Sequence, residues 1–93
     1  MVKDAVTPFH HDGHPVLTLR QLDRLNNVPK GTAFRAFKRA RANLVEGRDF
    51  FVLDPERDAG RIAELKAAGL AYDSSHRVVL LTAAAYEVMR GAR

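Results

Sequence analysis

Leu19, Leu22 and Leu25 recur at the three-residue interval of a short helix face, and Thr18 stands just before them. Thr18 and Gln21 together make a capping box, in which each side chain satisfies a backbone N–H at the helix start. The pattern predicts a first helix over Leu19–Leu25, with a short strand at Val16-Leu17 before it. Asn26-Asn27 ends the helix, because asparagine accepts the left-handed conformation of a sharp turn more readily than most residues. Val28 can plug into the core beneath that turn. A second helix is expected from about Pro29 to Asn43. Pro29 suits a first turn, where a missing N–H costs little; alternatively Thr32 is the cap and the helix starts slightly later. At about 100° per residue, Ala33, Phe34, Phe37, Ala40 and Leu44 fall on one side of this helix. Thr32, Arg35, Lys38, Arg39, Ala42 and Asn43 fall on the other, while Arg41 lies nearer the apolar side and must reach outward past it.

Beyond Gly47 the period changes. Asp49-Phe50-Phe51-Val52-Leu53 is rich in strand formers and ends at Asp54-Pro55. A third helix is expected from about Glu56 to Ala68, with Ile62 and Leu65 inward, Gly69 as a left-handed C-cap and Leu70 folding back on Leu65. Asp73-Ser74-Ser75 is turn material, and Arg77-Val78-Val79-Leu80-Leu81 reads as a second strand. Thr82 caps a last helix from Ala83 to about Arg90, with Tyr86 and either Met89 or Val88 inward. Residues 1–15 show no apolar period and are punctuated by Pro8, Gly13 and Pro15, so they are expected to form an irregular arm before a single domain over 16–93. The order of elements predicts an α+β fold. A helix-turn-helix is followed by a two-stranded antiparallel wing-like hairpin with a helical insertion, and then by a C-terminal helix.

Charge sharpens the functional reading. Between Asn27 and Val45 stand five basic residues (Lys30, Arg35, Lys38, Arg39, Arg41) and no acidic one, whereas the rest of the chain holds ten basic against eleven acidic. The whole net charge of +4 thus comes from the second helix and its approach, as an electrostatic footprint for nucleic acid requires. The 93 residues include no cysteine, which removes disulfide and thiolate chemistry. No apolar run approaches the ~20 residues of a membrane helix. Met1-Val2-Lys3-Asp4-Ala5-Val6 lacks the apolar core of a secretory signal, so a cytoplasmic protein without a membrane partner is expected.

Candidate chemistry is sparse outside the basic helix. His10, His11 and His14 invite a metal hypothesis, but their spacing fits no strong ligand signature and a loop would not fix their geometry. Ser74-Ser75-His76 beside Asp73 resembles a triad only superficially, because neighbours in one turn do not converge as triad members must. There is no glycine loop of the phosphate-cradling type. No catalysis, cofactor or metal is therefore expected. Single-stranded RNA is disfavoured on the expectation that Phe34 and Phe37 are buried, leaving the outer face without stacking platforms.

On double-stranded DNA, Arg35 and Arg39 sit one turn apart where they can reach guanine O6 and N7 in the major groove, and Thr32 and Ala36 flank them toward a base or a thymine methyl. Lys30, Lys38 and Arg41 are cast as phosphate contacts, which position without specifying. Asn43 is either a phosphate contact or a helix C-terminal cap, and Arg77 either a wing contact or a solvated charge that discourages edge pairing.

Five stretches also carry a family resemblance. Leu17-Thr18-Leu19-Arg20-Gln21-Leu22, the turn Asn26-Asn27-Val28, and Phe34-Arg35-Ala36-Phe37-Lys38-Arg39 resemble the start of the phage ORF6N domain. Asn43-Leu44-Val45-Glu46-Gly47-Arg48-Asp49-Phe50-Phe51-Val52-Leu53 resembles its asparagine and glycine turn into an aromatic strand, and Arg77-Val78-Val79-Leu80-Leu81-Thr82 its closing strand and helix cap. The resemblance covers roughly residues 16–90; Ala83, Ala84 and Ala85 stand where the family often has glycine. It implies an N-terminal DNA-binding module of phage or prophage antirepressor-like regulators and carries over no catalytic residue; no second, effector domain is expected within these 93 residues. The expected function is sequence-specific binding of double-stranded DNA by a phage- or prophage-type transcriptional regulator. A homodimer remains open, since two half-sites multiply a small module's affinity. The alternative is a small phage-encoded module that binds a host regulator, a defence protein or another phage protein through the same basic face.

Overall fold

The computed structural model describes residues 9–91. The chain runs β1 (Phe9–His11), β2 (His14–Thr18), α1 (Leu19–Leu25), α2 (Thr32–Ala40), a 3₁₀ turn (Arg41–Asn43), β3 (Phe50–Leu53), α3 (Ala59–Ala67), β4 (Val78–Leu81) and α4 (Ala83–Gly91). The class is α+β as expected, with a four-stranded antiparallel sheet in the order β1-β2-β4-β3. The expected two-stranded wing is one half of that sheet. β3 and β4 pair through Phe50↔Leu81, Phe51↔Leu80, Val52↔Val79 and Leu53↔Val78, with α3 inserted between them.

The other half of the sheet corrects the reading of the N-terminal region. Residues 9–15, expected to be irregular, form β1 and the start of β2, while residues 1–8 lie outside the described part. Asp12 and Gly13 both have positive φ, 53° and 79°. That is the two-residue hairpin turn whose twist matches antiparallel strands, and it is why Asp-Gly joins the strands so tightly.

Alternation along the strands divides the core in two. Phe50, Val79 and Leu81 face a layer made by α1, α2 and α4, where Leu22, Ala33, Phe37, Ala40, Ala85 and Met89 are buried. Phe51, Leu53, Val78 and Leu80 face the opposite side, covered by Ile62 and Leu65 of α3. Covered on both faces, β4 is buried at every position, which explains its unbroken apolar run Val78-Val79-Leu80-Leu81. The expected C-cap of α3 is present: Gly69 has φ 76°, its N–H donates to the Lys66 carbonyl at 3.0 Å, and the Leu70 N–H donates to the Leu65 carbonyl at 2.8 Å. The start of α3 is later than expected. The Asp54 carboxylate accepts the N–H groups of Glu56 and Arg57 at 2.8 and 3.0 Å, holding those residues in a turn, so the helix begins at Ala59. Thr82 caps α4 by accepting the Ala85 N–H at 3.2 Å.

Phe37 is 6% exposed and meets Phe50 edge-on at 5.1 Å, whereas Phe34, expected on the same buried side, is 44% exposed. This difference sets a stability test. Phe37→Ala is expected to cost about 3–5 kcal/mol in urea unfolding, and Phe34→Ala about 1 kcal/mol or less. Equal costs would contradict the packing of α2.

Candidate nucleic-acid interface

The basic helix is placed by a carboxylate. Asp23 lies on α1 beside Leu22 and is only 2% exposed. One of its oxygens accepts the Ala33 N–H at 2.7 Å; the other accepts the Gly31 N–H at 3.0 Å and the Tyr72 hydroxyl. Asp23 thus caps α2 from the preceding helix, putting a negative charge where the unpaired N–H groups and the helix dipole favour one. The Val28 N–H also returns to the Asp23 backbone carbonyl, at 3.0 Å, which closes the turn. The chain can follow this path because Asn27 and Gly31 take left-handed conformations, with φ 54° and 92°.

This arrangement corrects both expected starts of α2. Pro29 lies in the turn, and Gly31 is the N-cap. Thr32 is the first helical residue, and its hydroxyl donates back to the Pro29 carbonyl at 2.8 Å instead of capping the helix.

A second set of contacts lashes the segment after α3 to the same turn. The Thr18 hydroxyl donates to the Leu70 carbonyl, Arg20 donates to the Ala71 carbonyl at 3.4 Å, and the Lys30 ammonium donates to the Ser74 hydroxyl at 3.1 Å. Lys30 and Arg20 also lie over the Tyr72 ring, 4.9 and 5.5 Å from its centre. Burial, then the hydrogen bond to Asp23 and that carboxylate's charge, push the Tyr72 hydroxyl up from its ordinary 10.0 to about 12.

The remaining site residues follow from the helix phase. Arg35, Lys38 and Arg39 are exposed on the outer face of α2, and Arg41 and Asn43 are exposed on the 3₁₀ turn. Arg35 makes a long bond, 3.4 Å, to the Thr32 hydroxyl. The Lys38 ammonium sits 5.0 Å from the centre of the Phe34 ring, and the Arg41 guanidinium covers Phe50 at 4.6 Å, reaching past the core edge as its phase predicts. Ala36 departs from expectation: it is half-buried against the helical core and does not stand beside Arg35 on the outer face. The cap reading of Asn43 also falls, because α2 has its C-cap at Arg41 and the 3₁₀ turn has its C-cap at Leu44. Among the described residues, none of Lys30, Arg35, Lys38, Arg39 or Arg41 joins an ion pair. Arg77 is exposed at the foot of β4, near enough to Asp54 to help hold that carboxyl below the usual range, a smaller effect than the Arg57 and Glu56 N–H groups have.

The three histidines of the N-terminal hairpin can also be placed. His11 and His14 flank the hairpin turn as a cross-strand pair and pack on Phe51, with ring centres at 5.0 and 5.5 Å, while His10 is exposed. Among the described residues no group of three histidine or acidic side chains could hold a metal, and no helix is long and apolar enough to cross a membrane. Compared with known proteins, the chain matches no family model, no curated protein and no solved structure.

Asp23 and Tyr72 escaped the sequence reading, although Asp23 carries a signal: it falls four residues after Leu19, on the apolar side of α1, where a charge needs partners. Leu25, read as part of the same stripe, is 48% exposed. Replacing Asp23 by asparagine removes the charge and sets the amide NH2 against at least one of the backbone N–H groups that the carboxylate accepts, so Asp23→Asn is expected to destabilise by about 2–4 kcal/mol in urea unfolding. A raised tyrosine pKa stabilises the fold fully below 10.0, and that contribution is lost as pH rises through about 12. Stability should therefore fall across that window, and Tyr72→Phe should remove this component of the alkaline transition. An unchanged alkaline limb in Tyr72→Phe would mean that the hydroxyl contributes nothing.

Proposed function

We propose that the chain is a sequence-specific, double-stranded DNA-binding regulator of the phage or prophage type. It acts in the cytoplasm without a catalytic step and is related to the ORF6N domains that its motifs resemble. The observation that carries this reading is the outer face of α2, where Arg35, Lys38 and Arg39 stand exposed and without ion-pair partners among the described residues. Such a helix fits the major groove, about 12 Å wide, and its nine residues extend about 13 Å along it. Arg35 and Arg39 read base edges, and Thr32 lies beside them. Lys38, Arg41 and Asn43 take phosphates on one side, with Lys30 and Arg77 on the other.

Capture of a host or phage protein through the same face is the second reading. The exposed Phe34 supports it, because an aromatic ring among arginines is typical of protein interfaces. Either reading accommodates a homodimer.

Titration of cognate and scrambled duplexes at several salt concentrations separates these roles. Lys38→Ala should weaken both duplexes alike and reduce the salt slope of log K by about 0.9, one phosphate contact fewer. Arg35→Ala should cost about 1–3 kcal/mol on the cognate duplex and relax preference at one base pair. Equal losses on both duplexes would make Arg35 a phosphate contact. Wild-type binding that is weak and indifferent to sequence would favour a protein partner.

A further inference from the structure

Between the N-terminal end of α2, the start of α1 and the segment after α3 lies an open groove of about 870 Å³. That is within the range of sites that take small ligands, roughly 300–1,000 Å³. Its walls are largely apolar: Leu19, the Phe34 ring and the cross-strand pair Val52–Val79. Phe34, Leu25 and Val45 are the large apolar side chains most exposed on the described surface, and only Phe34 lines the groove.

The charges around it are one-sided. Arg20, Lys30 and Arg77 line the groove together with His76, and the single carboxylate among its lining residues is Asp23. That carboxylate is already occupied by the N–H groups of Gly31 and Ala33 and by the Tyr72 hydroxyl. Arg20 donates to a backbone carbonyl, that of Ala71, and lies over the Tyr72 face, whereas the Lys30 ammonium, over the same ring at 4.9 Å, donates among the described residues only to the exposed Ser74 hydroxyl, which another acceptor can replace. Arg77 lies near Asp54, but that carboxylate does not line the groove and is held by the Glu56 and Arg57 N–H groups, so apolar walls with a cationic rim complement a ring that carries a negative charge.

We propose that this groove binds a small aromatic anion, its ring against Phe34 and the Val52–Val79 pair and its charge met by Lys30 and Arg77. The site does not depend on DNA binding. It does place the ligand against Gly31 and Asp23, the joint that holds α2.

The test uses 8-anilinonaphthalene-1-sulfonate as the probe, titrated into the intact chain without DNA and followed by fluorescence. N-phenyl-1-naphthylamine, which lacks the sulfonate, serves as its uncharged counterpart. The anion should saturate a single site per chain and bind at least about tenfold more tightly than the neutral dye, the scale of charge-assisted hydrogen bonds. Lys30→Ala combined with Arg77→Ala should abolish that preference, and Phe34→Ala should weaken both dyes. Leu25→Ala, an exposed leucine outside the groove, should change neither, with circular dichroism confirming the fold of each variant. The proposal is overturned if the dyes bind alike or without saturation, if the anion's preference survives the double substitution, or if Leu25→Ala weakens binding as much as Phe34→Ala.

Discussion

The outward face of α2 depends on one buried carboxylate. Asp23 is sequestered between α1 and α2, where an ion without compensation would be costly. Two backbone N–H groups and a phenol supply the compensation. All three donors have fixed positions, so satisfying them fixes the angle at which α2 leaves the turn. That angle decides the rest: with Ala33, Phe37 and Ala40 pointed at the sheet, the helix period leaves Arg35, Lys38 and Arg39 in solvent. The charge at the start of α2 and the charges along its outer face have opposite signs and opposite tasks. One holds the helix in place, and the others remain available.

Much of this was legible in the chain. The capping box at Thr18, the glycine cap after α3 and the cap at Thr82 are local signals that depend on a few adjacent residues, and each appears where its pattern places it. The pairing of β3 with β4 followed from two apolar runs with only one helix between them. What was not legible depended on distance or on a competing local bond. Asp23 and Tyr72 meet although 49 positions apart in the chain, and no pattern near either residue announces the other. The start of α2 was misplaced because Pro29 and Thr32 both look like helix openers, yet a left-handed Gly31 served by a remote carboxylate displaced them both. Phe34 was assigned inward because a helical wheel gives an apolar side more breadth than this core needs; Ala33 and Phe37 already fill it. The hairpin at Asp12-Gly13 was overlooked because its flanking strands are rich in histidine and proline, which hide the alternation.

The sheet explains how so short a chain supports an exposed basic face. Because β4 is buried on both sides, one strand serves two apolar clusters, and α3 closes the side away from α2. Cationic and aromatic groups then gather at one end of the molecule, where the turn between α1 and α2 meets the segment after α3. A nucleic-acid face and a small-molecule groove would share Lys30 and Arg77 there, so occupancy of one bears on the other.

The pairing of β2 with β4 has a consequence for how the protein is made. Leu17 lies opposite Leu81, so the middle of the sheet joins the beginning of the described chain to its end. Ribosomal synthesis delivers Leu17, the turn and the whole of α2 long before Tyr72 and β4 exist. Until then α2 has Asp23 at its start and Phe50 available to Phe37, but β3 has no strand to pair with. The core that seats the basic helix is therefore complete only once Val78–Leu81 has emerged, so the outward set of Arg35, Lys38 and Arg39 waits on a strand made about forty residues later.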